Sequence, residues 1–134
     1  MIELTLANEN PVVAGEGVPI YITGFNITHS KLCGLLDSDS IIGTEIKAQE
    51  TFQINVCATN EDPPIASGVV TLSTLDHGLG DTIAKVEWGF SGTMSPNHLR
   101  VRDVHPPWLV HAPEIPPSGV MGPVTVTFRK GLLE

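Results

Sequence analysis

The feature that most constrains this chain is a succession of short stretches in which apolar and polar residues alternate. IELTLA at 2–7, VPIYITGF at 18–25, GTEIKAQ at 43–49 and TFQINVCA at 51–58 all follow the rule. So do VVTLSTL at 69–75, TIAKVEW at 82–88, HLRVRDV at 98–104 and VTVTF at 124–128. A period of two with Val, Ile and Thr enrichment predicts strands with one buried face, because successive side chains of a strand point to opposite sides. In 51–58 the buried set is Phe52, Ile54 and Val56. Segments rich in turn formers separate these stretches: NENP, AGEG, DSDS, NEDPP, DHGLGD, GFSGTMSPN, HPP and PPSG. Strands this short, spaced by turns every ~8–15 residues, predict an all-β sandwich or barrel.

The 134 residues suit one domain, and the expectation is a single antiparallel β-sandwich over 1–134. Thirteen glycines and eleven prolines argue against a helical bundle. No window of twelve or more residues reads as helix. The stretch 89–119 is the richest in loop chemistry and is expected to be mostly irregular.

Charge excludes some partners. Seven basic residues stand against fifteen acidic ones, for a net charge of -8. So few cations cannot line a nucleic-acid backbone, and general adhesion to anionic lipid is disfavoured for the same reason. No run approaches the ~20 apolar residues of a membrane-spanning helix. The first fifteen residues carry two glutamates and no basic segment, so the expectation is a protein made in the cytoplasm without a signal peptide.

Few residues suggest chemistry. His29, His77, His98, His105 and His111 invite a metal site, but the seven-residue step from His98 to His105 and the prolines before His111 do not set ligands on one strand face. No nucleophile elbow, phosphate loop or EF-hand spacing occurs, and the expectation is a non-enzyme without cofactor or metal. The carboxylate pairs sit in turns, where Asp bonds the local backbone. Cys33 and Cys57 lack metal-ligand spacing; two free thiols and one disulfide both fit. The alternation in HLRVRDV puts His98, Arg100 and Arg102 on one face, a set able to hold a phosphate group. Trp88 reads as core; Trp108, after two prolines, suits either the core or an exposed anchor.

Taken together, ITGF and SKL within 22–32, FQINVCA at 52–58, Ser67-Gly68-Val69, Trp88 with the loop through Asn97, and SGVMGPVTVTFRKG at 118–131 resemble the aegerolysin family. That resemblance covers about 20–131 and implies an aegerolysin- or actinoporin-like sandwich. Its members are small acidic proteins that bind membranes, often through sphingolipids. The resemblance therefore implies the recognition half of a two-component cytolytic or insecticidal toxin. Such a component recognises a membrane lipid or surface receptor, acts outside the cell after release, and works with a larger perforin-class partner. A monomer or weak homo-oligomer is expected. The contact residues implied are His29, Lys31, Gly92, Ser95, His98, Arg100, Arg102 and Trp108. His29, Gly92, Ser95 and Leu99 stand where fungal members carry lipid-facing side chains, most of them tryptophan, so the aromatic set is depleted. The alternative is a binding module that engages no membrane, lectin-like or structural.

Overall fold

The computed structural model describes residues 2–12, 17–28, 30–32, 38–58, 65–74, 82–91, 97–115 and 122–131. Ten strands and one helical turn follow in chain order: β1 (Ile2–Asn8), β2 (Ile20–Thr28), β3 (Ser30–Leu32), α1 (Ser38–Ile41), β4 (Glu45–Ile46), β5 (Thr51–Ala58), β6 (Ile65–Ser73), β7 (Thr82–Ser91), β8 (His98–Arg102), β9 (Trp108–His111) and β10 (Gly122–Lys130). They form two five-stranded sheets, ordered β3-β5-β1-β10-β9 and β4-β2-β6-β7-β8. The architecture is the expected β-sandwich.

The core lies between the sheets. Leu4 and Leu6 of β1, Ile54 and Val56 of β5, Val124, Val126 and Phe128 of β10 and Trp108 of β9 are buried on one side. Ile20, Ile22, Val70, Leu72, Val86 and Trp88 are buried from the other sheet. Register aligns the rows: Leu4 lies between Ile54 and Val124, and Leu6 between Phe52 and Val126. Period-two alternation is thereby converted into one continuous apolar layer.

Three departures from the expected arrangement have physical causes. First, β1 and β10 pair in parallel in the middle of their sheet, in an otherwise antiparallel fold. These strands come from opposite ends of the chain, so no hairpin dictates their direction. Second, the expected strand at 43–49 is a strand only at Glu45–Ile46, and a turn then feeds β5. Gln49 takes a left-handed φ of 69° without being glycine. Its backbone N–H donates to Asn8 O at 2.8 Å and its side chain donates to Asn10 O at 2.7 Å, so the conformation is held by its bonds. Third, β9 falls inside the stretch expected to be irregular. Proline cannot donate to a ladder but can precede one, and Trp108 starts pairing with Lys130 directly after Pro106-Pro107.

A buried polar latch closes one end of the sandwich. Asn8 and Asn10 are each 2% exposed. Asn8 Nδ2 donates to Val18 O at 2.8 Å and to Ile46 O at 2.9 Å. Its Oδ1 accepts from the Asn10 backbone N at 3.0 Å and Asn10 Nδ2 at 2.8 Å. All four valences of that amide are used, which is the condition for burying it. Asn10 Oδ1 accepts from the Lys130 backbone N at 2.6 Å, tying in β10.

Candidate functional site

The outer face of the second sheet collects the polar residues of four strands. Register places Asn26 opposite Val69, Val69 opposite Glu87, and Glu87 opposite Arg100. Two residues along, Ser67 faces Gly89 and Gly89 faces His98. Two steps the other way, Thr71 faces Lys85 and Lys85 faces Arg102. The expected alternation of β8 holds: Arg100 and Arg102 are exposed and His98 is half-buried on this face, while Leu99 and Val101 pack towards the core.

Glu87 is the hub. Its Oε2 accepts from Arg102 Nη1 at 3.0 Å, and its Oε1 lies 3.8 Å from His98 Nε2. Arg102 reaches diagonally past Arg100, which has no hydrogen-bond or ion-pair partner among the described residues. Lys85 lies 3.8 Å from Asp103. These pairs are solvated and contribute little to stability. Their effect is to leave one guanidinium without a partner among the described residues, beside a carboxylate that is already paired.

Glycines make room for the rings on both sides of the sheet. A side chain on Gly89 would collide with the His98 imidazole, so this bare position lets the ring settle over β7, within reach of Glu87. On the inner face a Cβ on Gly68 would lie 2.5 Å from Trp88 Cζ2. The Trp88 indole is fully buried over that gap, tilted 33° to Phe25 at a centroid separation of 6.2 Å. Its Nε1 has no acceptor among the described residues. Asn26, Ser67, Gly68, Val69, Glu87, Trp88 and His98 line a shallow hollow of about 240 Å³. Two other hollows, of about 310 and 340 Å³, flank the polar latch.

The expected site residues are thus only partly brought together. His98, Arg100 and Arg102 share the face. Lys31 is on β3, in the other sheet, opposite Cys57, and only its backbone is described. His29, Gly92, Ser95 and Cys33 lie outside the described residues. Trp108 requires correction as a contact residue: it is 6% exposed and belongs to the core cluster. The strap from Asp103 to Pro107 crosses between the sheets, and Trp108 N donates to His105 O at 3.0 Å, which helps set the indole inward. The exposed apolar side chain here is its neighbour Leu109, at 64%. Sequence reasoning missed Glu87 and Asn26, because either reads as an ordinary solvent-facing strand residue until register is known. Among the described residues no three His, Cys, Asp or Glu side chains converge as metal ligands.

The two packed sheets define an aegerolysin-like β-sandwich. Among solved structures the chain is similar to the RahU protein, described in complex with a TRIS molecule, with a TM-score of 0.80 at 11% identity over 99% of this chain and 96% of that one. It is also similar to IP-1A from Alcaligenes faecalis, with a TM-score of 0.76 at 19% identity over 99% of this chain and 92% of that one. At these identities the likeness is one of fold. No protein-family model and no curated protein sequence matches the chain.

Proposed function

We propose that the protein is the target-recognising component of a two-component pore-forming cytolysin: it docks on a membrane lipid or surface receptor and recruits a larger perforin-like partner. The aegerolysin resemblance of the sequence and the aegerolysin-like fold support this reading. One observation of the surface carries it: a chain with net charge -8 gathers Lys85, Arg100 and Arg102 on a single sheet face, with the Arg100 guanidinium unpartnered among the described residues. A free guanidinium is a planar donor suited to phosphate.

The test is co-sedimentation with vesicles of phosphatidylcholine, of sphingomyelin with cholesterol, and of ceramide phosphoethanolamine with cholesterol. Binding to one sphingolipid mixture is expected, and Arg100→Ala should weaken it about fivefold, the equivalent of ~1 kcal/mol for one charge-assisted contact. Binding to all three alike, or to none, would remove headgroup recognition from the proposal.

A second reading has its own observation. Trp88 and Trp108 are both buried, so neither supplies the ~150–250 Å² of aromatic contact that anchors a bilayer docking. That favours a protein receptor over bare lipid. Capture of the chain by protease-treated and untreated target cells separates the two: loss of binding on treatment supports the receptor.

A further inference from the structure

Three groups at the hollow beside Glu87 carry hydrogen-bonding capacity that the described residues leave unused. Glu87 Oε2 accepts from Arg102 Nη1 at 3.0 Å, whereas Oε1 lies 3.8 Å from His98 Nε2, beyond hydrogen-bonding reach, and accepts from no other described residue. The Asn26 amide, with two donors and an acceptor, has no side-chain partner among the described residues. Arg100 stands opposite Glu87 on β8, its guanidinium likewise without a partner there.

The hollow and the arginine ask for different chemistry. Inside the hollow the Glu87 charge is offset by Arg102, so neutral hydroxyls fit better than an ion. The carboxylate oxygen accepts an O–H, the Asn26 amide donates and accepts, and the His98 imidazole does either. Gly68 and Val69 give the hollow an apolar part against which C–H groups can rest. Trp88 borders it, but the indole is fully buried, so no ring there meets a quaternary ammonium. At about 240 Å³ the hollow is smaller than the ~300–1,000 Å³ sites that take drug-sized ligands, and it suits a single sugar ring. Arg100, in contrast, calls for a planar anion. It lies two residues from His98 on β8, a step of ~7 Å along a strand, which one ring and its acidic substituent can span.

We propose that the hollow holds one ring of an anionic glycan, with its hydroxyls on Glu87, Asn26 and His98 and its acidic group on Arg100. The inference rests on the reading of this sheet face as the contact surface and names the chemistry of the receptor. The net charge of -8 opposes anions at long range. At 0.15 M salt the screening length is about 8 Å, so that repulsion fades while touching charges still attract. Hydrogen bonds without a stacked ring set an affinity of about 1 mM for one sugar.

The test is an amide-shift NMR titration of the intact protein at 0.15 M salt. The probes are the methyl glycosides of glucuronic acid, galacturonic acid and N-acetylneuraminic acid, those of glucose and galactose, and acetate. At least one acidic sugar should bind fivefold or more tighter than both neutral sugars and acetate, with shifts centred on Asn26, Val69, Glu87, His98 and Arg100. Arg100→Ala should reduce that affinity to the level of the neutral sugars, and Asn26→Ala to that of acetate. Both side chains are exposed, and circular dichroism checks that the variants are folded. Binding of no acidic sugar, acetate binding as tightly as the acidic sugars, or a preference that survives both substitutions would overturn the proposal. No vesicle enters this titration, so its failure leaves the co-sedimentation result standing, and the converse also holds. Protease-treated cells tell the source of the sugar: lost binding assigns it to a glycoprotein and retained binding to a glycolipid, and either supports the proposal when Arg100→Ala abolishes capture by untreated cells.

Discussion

Gly68→Ala should destabilise the protein far more than one added methyl group suggests. The new Cβ would lie 2.5 Å from Trp88 Cζ2, 3.0 Å from Trp88 Cε2 and 2.9 Å from the Asn26 backbone oxygen. Neither neighbour can withdraw. Trp88 is fully buried against Phe25, and Asn26 belongs to β2, which is paired with β6 at that level. Overpacking of this kind costs up to about 3 kcal/mol. The smaller conformational freedom of alanine in the unfolded chain returns about 0.5–1 kcal/mol. The net loss is therefore about 2 kcal/mol, which lowers the thermal midpoint of a domain this size by roughly 8 °C. Gly24→Ala is the milder comparison: its Cβ would meet only the Thr71 side chain, at 3.0 Å to Oγ1, which can rotate away, and at 3.1 Å to Cβ, which requires a strand shift of a few tenths of an ångström. Scanning calorimetry on Gly68→Ala, Trp88→Phe and the double variant closes a cycle. Phenylalanine removes the obstructing Cζ2 and Cε2 together with the unpartnered Nε1, so the double variant should be more stable than the sum of the singles predicts. A Gly68→Ala midpoint within about 2 °C of the parent, or strict additivity with Trp88→Phe, would refute the claim that the ring occupies the space glycine leaves open.

Asn8→Ala removes four hydrogen bonds from a buried network and leaves Val18 O with the 3.3 Å bond from Asn10 Nδ2, so urea denaturation should report a loss of about 3 kcal/mol or more. Trp108→Ala empties a core position and should lower stability by about 3–5 kcal/mol, whereas a solvent-exposed anchor would leave the urea midpoint almost unmoved.

What could be read from the sequence was whatever local periodicity encodes. TFQINVCA at 51–58 and IELTLA at 2–7 became β5 and β1 with the expected residues inward, and HLRVR kept its two faces. What could not be read depends on partners distant in the chain. NENP looks like a turn, yet Asn8 and Asn10 are buried because Val18, Ile46 and Lys130 meet them from three other segments. The turn at Gln49 carries neither glycine nor proline and is shaped by bonds to residues about forty positions away. The charged face shows the same division. Alternation placed His98, Arg100 and Arg102 together, but Glu87 joins them only through the β7–β8 register, which no local pattern states. Trp108 was undecided because two prolines erase the periodicity that would have assigned its face.

The parallel contact between β1 and β10 also bears on how the molecule comes into being. β1 lies between β5 and β10, with Ile2 through Asn8 matched to Gly122 through Phe128, residues about 120 positions further along. During synthesis the row of Leu4 and Leu6 has no neighbour on its β10 side until that distant strand has left the ribosome. Folding must then close its largest loop to complete the centre of a sheet, the kind of non-local pairing that folds slowly and keeps apolar edges open meanwhile.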